Sequence, residues 1–83
     1  MRELSYLEMA MDNLSSEIMR EMNNLKLTNI DMSLRCDMSH RNFCKVLYKE
    51  TKEIKISTLI NICENTNISY MDIFSFSKWN NVE

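Results

Sequence analysis

Apolar residues recur along the first third of the chain at alternating steps of three and four, which is the spacing of one helical face. They are Leu4, Leu7, Met11, Leu14, Ile18, Met22 and Leu25. Ser15 followed by Glu17 fits a helix N-cap, so this segment is either one long helix or two short ones. We favour two, an additional N-terminal helix at 2–13 and a first core helix at 16–25.

A second helix is predicted to begin after Thr28. Thr28 is a suitable N-cap, and Asp31, three residues later, places a negative charge where the helix dipole favours it. The apolar residues of this helix are Ile30, Met32 and Leu34, although their even spacing is weak evidence for helical periodicity.

Serine caps also mark two of the three remaining helices. Ser39 is the predicted N-cap of the third helix and Ser69 that of the fifth. The three helices are predicted at 40–48, 57–65 and 70–74. Phe43, Val46 and Leu47 have the spacing of an inward face on the third helix.

The composition supports a single small all-α domain. The 83 residues are 45% hydrophobic, which is too apolar for a disordered chain. They include neither Gly nor Pro, the residues that usually form the turns between strands. The three cysteines show no paired spacing, and no signal peptide or membrane-spanning run is evident. We therefore expect reduced thiols, a cytoplasmic location and no membrane partner.

Charge is distributed unevenly along the chain, whose net charge is −2. Residues 35–55 hold six basic and three acidic side chains, a local balance of +3, whereas the remainder holds four basic and nine acidic side chains, a balance of −5. A phosphate backbone responds to the charge within about one screening length, so this local balance permits nucleic-acid binding.

Residues 28–47 have the form of a helix-turn-helix unit. Two short helices are joined by a tight break at 37–39, and the second begins with Ser39 and carries basic and amide side chains outward. In such a unit the second helix, here 39–47, enters the major groove and its outward residues reach base edges.

Four segments, in order, resemble the motifs of the Cro and lambda-repressor type of helix-turn-helix proteins, also called XRE-like. They are LTNIDMS at 27–33, beside the family's LTQxxLA; MSHRNFCKV at 38–46, beside VSxxxIxxI; LINIC at 59–63, beside LxKIA; and NISYMDIF at 67–74, beside GVSxDxLF. The resemblance covers about 16–74. It implies a compact five-helix bundle and a bacterial or phage-encoded transcriptional regulator, usually dimeric on a palindromic operator.

The resemblance also assigns roles by position. Base-contacting side chains fall at His40, Arg41 and Lys45, and contacts to the DNA backbone fall at Asn29, Ser39, Asn42, Lys49 and Lys52. Two departures from the family pattern stand out: Asp37 replaces the turn Gly, and Leu47-Tyr48-Lys49 replaces the Glu-x-Gly that closes the recognition helix.

The predicted organisation is an N-terminal helix or helix extension at 1–14, a DNA-binding domain at 15–74 and a tail at 75–83. The expected function is sequence-specific binding of double-stranded DNA by a homodimer acting as a repressor. The alternative is a protein-interaction module of the same fold, antitoxin-like or a co-regulator, that dimerises through its N-terminal helix. Leu4, Leu7, Met11 and Leu14 fit a dimer seam and packing on the chain's own bundle equally well.

Catalysis, cofactors, metal and a small-molecule substrate are not expected. There is one histidine, no Gly-rich phosphate loop and no pair of carboxylates in an evident cleft. Cys36, His40 and Cys44 are spaced by four, but the predicted break separates Cys36 from the other two, and no fourth ligand for a structural zinc ion is evident.

Overall fold

The computed structural model describes residues 5–76, which form five helices and no strand. The helices are α1 (Tyr6–Leu25), α2 (Asn29–Arg35), α3 (His40–Leu47), α4 (Ile56–Glu64) and α5 (Tyr70–Ile73). The prediction of an all-α chain is confirmed for this range, and the predicted ends of the last three helices agree within one residue. Most of the predicted tail, 77–83, and residues 1–4 lie outside the described residues.

The first helix is continuous from Tyr6 to Leu25, so the predicted division into two helices at 2–13 and 16–25 is wrong. Ser5 caps α1 in a capping box with Glu8, in which the Glu8 amide donates to Ser5 Oγ at 3.1 Å and the Ser5 amide donates to Glu8 Oε1 at 2.9 Å. Ser15 lies buried in the middle of α1, and its hydroxyl donates to the carbonyl of Leu47. Residues 6–13 of the predicted N-terminal helix thus continue without a break into the core helix.

The N-terminal apolar stripe is divided between core and solvent. Met11 and Leu14 are buried within the chain's own bundle, whereas Leu7 is 47% exposed. Leu4 lies outside the described residues. A seam between two copies therefore cannot be built on Met11 and Leu14, whose side chains are already covered.

Helix α2 begins as predicted but presents a different face to the core. Thr28 and Asp31 form a complete capping box. Only Met32 of the three predicted apolar residues is buried, and Ile30 and Leu34 are 56% and 72% exposed. Each helical residue turns by about 100°, so positions two residues from Met32 point well away from it.

All five helices contribute to one core. Its buried members are Leu14, Ile18, Met32, Cys36, Phe43, Val46, Leu47, Ile62, Cys63, Ile68 and Ile73. The predicted inward residues of α3, Phe43, Val46 and Leu47, are all among them, so that prediction is confirmed. No helix in the described part of the chain has the length and hydropathy of a membrane span.

Three helices end on a left-handed residue although the chain has no glycine. The backbone φ is 57° at Lys26, 55° at Asp37 and 59° at Lys49. After α3 the amide of Lys49 donates to Val46 O at 3.2 Å and that of Glu50 donates to Lys45 O at 2.8 Å, which is the Schellman pattern of helix termination. Asp37, which stands where the family pattern has its turn Gly, thus takes a left-handed conformation that Gly adopts readily.

Candidate nucleic-acid interface

The turn between α2 and α3 fixes where α3 begins. The amide of Met38 donates to Ser33 O at 2.9 Å across the left-handed residue Asp37. Ser39 then caps α3, and its Oγ accepts the amide of Asn42 at 3.1 Å. Because this oxygen already accepts a hydrogen bond from the helix, the predicted contact of Ser39 with the DNA backbone would be donated by its hydroxyl proton.

The outward face of α3 is polar and centred on two cations. With about 100° per residue, Arg41 and Lys45 lie opposite the buried side chains of the helix, while Asn42 and His40 lie on its two flanks. All four are exposed. Among residues 5–76, no carboxylate pairs with Arg41 or Lys45. The structure thus brings the three predicted base-contacting residues and Asn42 together on one helix.

An open groove of about 730 Å³ separates this face from the start of α4. Asn42 and Lys45 line it on the α3 side, and Lys55, Ser57 and Thr58 line it from the start of α4. Lys55 is the N-cap of α4 without a side-chain cap bond, and the first turn of α4 contains no acidic residue. The first turn of α4 therefore offers amide and hydroxyl donors beside a lysine.

Lys55, Ser57 and Thr58 were not among the predicted site residues. The predicted start of α4, at 57, was one residue late and placed Ser57 and Thr58 in the first turn, but neither hydroxyl was assigned a role. The signal that could have found them is the sequence Lys-Ile-Ser-Thr directly after the basic loop, because such a run supplies donors and no competing carboxylate.

The groove also carries negative charge. Asp37, Glu53 and Glu64 line it together with Lys45 and Lys55, so three carboxylates face two ammonium groups. A polyanion would therefore be attracted to the α3 face and to the start of α4 more than to the floor of the groove.

Asn29 at the start of α2 is held by Tyr48, which was not among the predicted site residues. Its Nδ2 donates to the hydroxyl of Tyr48 at 2.9 Å, which joins the beginning of α2 to the end of α3. One N–H of Asn29 and the O–H proton of Tyr48 are left to donate. The pair therefore offers two donors at the edge of the α3 face.

Lys49 and Lys52, the two remaining lysines of the predicted site, differ in whether their ammonium groups are already paired. Lys49 forms an ion pair with Asp12 of α1, with 3.0 Å between Nζ and Oδ1, so its ammonium is directed away from the α3 face. Lys52 is exposed in the loop before α4, and no carboxylate within residues 5–76 pairs with it. Lys52 is therefore available to an anion, whereas Lys49 would first have to leave Asp12.

The cysteines occupy different environments. Cys36 is fully buried, and burial raises the pKa of its thiol to about 11. Cys44 is half-buried on α3, with its Sγ 3.4 Å from His40 Nε2. Within residues 5–76 no three His, Cys, Asp or Glu side chains are grouped as metal ligands would be. Of the three residues spaced by four, Cys36 thus lies in the core, whereas His40 and Cys44 lie at the surface.

Comparison of the chain with protein-family models, with curated proteins and with solved structures finds no match. The resemblance to Cro and lambda-repressor proteins accordingly stays a prediction from the sequence motifs.

Proposed function

We propose that this protein is a sequence-specific DNA-binding transcriptional regulator with a lambda-repressor-like fold, and that α3 is its recognition helix. The observation that carries the proposal is the outward face of α3, where Arg41 and Lys45 have no acidic partner within residues 5–76. Cations left without partners on a helix that follows a tight turn are the arrangement that major-groove binding requires.

The dimensions of α3 suit the major groove. A helix is about 10–12 Å across with its side chains, which fits the major groove of B-form DNA at about 12 Å wide. Arg41 can donate two hydrogen bonds to O6 and N7 of a guanine, and Lys45, one turn after Arg41, can reach the next base or a phosphate. Asn42, on the flank of the helix, can donate to the DNA backbone. His40 supplies a further polar group at the start of the helix.

Contacts to phosphate would flank the recognition helix on both sides. Lys52 and the first turn of α4 lie after it in the chain, and the Asn29–Tyr48 pair lies at the start of α2. These groups hold the helix in register but do not read sequence. A homodimer would read two half-sites of a palindromic operator, about one helical turn apart.

The proposal is tested by selecting bound sites from a random duplex pool and measuring affinity by fluorescence anisotropy at several salt concentrations. Arg41→Gln and Lys45→Gln should each weaken binding roughly tenfold and reduce its salt dependence. Arg20→Gln is the matched control, because Arg20 is an exposed arginine on α1 that pairs with Glu17. Unchanged affinity in both α3 variants, or an equal loss in the control, would contradict the assignment.

A second candidate function, a protein-interaction module of the same fold, is favoured by apolar side chains on the surface. Ile56 at the start of α4 and Met71 on α5 are 73% and 80% exposed. Apolar side chains this exposed would be covered in a contact with a protein partner. Retention on a heparin column at low salt, lost as the salt rises, supports DNA binding; passage without retention supports the interaction module.

A further inference from the structure

His40 and Cys44 form a side-chain pair on one flank of α3. They are four residues apart, one helical turn, and His40 Nε2 lies 3.4 Å from Cys44 Sγ. His40 is exposed and Cys44 half-buried, so solvent reaches the pair. The flank is the one opposite Asn42, and neither residue lines the groove against α4.

The separation of the two atoms is close to that of two ligands on one tetrahedral metal ion. Zinc binds imidazole nitrogen at about 2.0–2.1 Å and thiolate sulfur at about 2.3 Å. At a tetrahedral angle these bond lengths place nitrogen and sulfur about 3.6 Å apart. A metal ion can therefore bridge His40 and Cys44 with little movement of either side chain.

The remaining coordination positions would be filled by water. Cys36 and Cys63 are buried in the core, and no third His, Cys, Asp or Glu joins the pair within residues 5–76. A site with two protein ligands is open and exchangeable, unlike the closed four-ligand sites that stabilise a fold.

We propose that His40 and Cys44 bind a borderline-soft divalent metal ion such as Zn²⁺. Neutral His40 gives its Nε2 lone pair, and the Cys44 thiol releases one proton to solvent as the sulfur–metal bond forms, with no change in oxidation state. The ion and its waters would occupy the flank of the recognition helix, so metal would oppose DNA binding. That consequence, unlike the site itself, rests on the proposed function.

The test uses Co²⁺ as a spectroscopic substitute for zinc on the full chain, reduced with a phosphine. Thiolate ligation gives an intense near-ultraviolet absorption that saturates at one ion per chain. We expect Cys44→Ser to abolish this absorption and His40→Asn to weaken binding at least about tenfold. Cys63→Ala is the matched thiol control and should bind cobalt as the unmodified chain does. Zn²⁺ should displace cobalt and remove the absorption.

Three results would overturn the site: no thiolate absorption with the unmodified chain, absorption that persists in Cys44→Ser, or absorption lost in Cys63→Ala with its helical circular dichroism intact. None of them involves DNA, so they are separate from the test of the proposed function. In a binding assay, Zn²⁺ should lower the DNA affinity of the unmodified chain and not that of Cys44→Ser. Equal effects on both would overturn the competition between metal and DNA.

Discussion

Helices α1 and α3 pack against each other but use their polar side chains in opposite ways. Helix α1 buries three polar residues, Asn13, Ser15 and Glu21, among its apolar ones. Helix α3 buries only apolar residues and places all its polar groups outward, except for the half-buried Cys44. The two helices therefore differ in what their polar groups can bind.

The buried polar groups of α1 hold the ends of other elements. Ser15 donates to the last residue of α3, Leu47, and Glu21 Oε2 accepts the amide of Asn67 at 3.1 Å before α5. Helix termini and loops carry backbone groups that must find partners when buried, and α1 supplies them. Substitutions of these buried polar residues of α1 should therefore change stability, whereas substitutions on the outer face of α3 should change binding.

The largest expected effect on stability is that of Asn13→Ala. Asn13 Nδ2 donates to Ile73 O and to Ser75 O, each at 2.9 Å, and the side chain is buried. Its removal leaves the buried carbonyl oxygen of Ile73 and the partly buried one of Ser75 without this donor, so the free energy of unfolding should fall by about 2 kcal/mol. Urea unfolding followed by circular dichroism measures this change.

Asn42→Ala is the matched control for that measurement, since Asn42 is an exposed asparagine of α3. It should change the free energy of unfolding by less than about 0.5 kcal/mol. Equal losses in the two variants would remove the distinction between the helices.

A smaller effect is expected at Ser15. Ser15→Ala removes the hydrogen bond to Leu47 O and should lower the free energy of unfolding by about 1 kcal/mol. The adjacent Ser16 is exposed, so Ser16→Ala should be close to neutral or slightly stabilising through its better helix propensity. Thermal unfolding of both variants compares them directly, and a greater loss in Ser16→Ala would contradict the role given to Ser15.

The sequence predicted α3 better than α1 because the signals of α3 are local. Ser39 caps α3 by accepting the amide of Asn42, three residues later, and Phe43, Val46 and Leu47 share a face at helical spacing. The break predicted in α1 failed because Ser15 has its partner at Leu47, thirty-two residues later. The residue type alone does not distinguish a serine that bonds across the core from a serine that caps a helix.

The same limit applies within the candidate site. The grouping of Arg41 and Lys45 follows from their spacing on one helix. The diversion of Lys49 to Asp12 and the bond between Asn29 and Tyr48 join residues far apart in the chain, which no periodicity reports. The first turn of α4 was missed for a related reason, because its position opposite α3 depends on the path of the intervening loop.

The smallest effect is expected at Tyr48, the residue that follows α3. Tyr48→Phe keeps the ring and removes the hydroxyl that accepts from Asn29 Nδ2. Because this bond is exposed, the free energy of unfolding should change by less than about 0.5 kcal/mol. Affinity for a selected DNA duplex should fall about threefold, since a neutral hydrogen bond contributes on the order of 0.5–1.5 kcal/mol.

Tyr6→Phe is the control for this variant, as Tyr6 is an exposed tyrosine at the start of α1, remote in sequence from α2 and α3. It should leave DNA affinity unchanged in the same anisotropy titration. If Tyr48→Phe lowers stability by more than its effect on affinity, the hydroxyl holds α2 against α3 as part of the fold. The boundary between residues that stabilise the fold and residues that bind DNA would then lie within α3, between its last turn and the face of Arg41 and Lys45. It would not lie between α1 and α3.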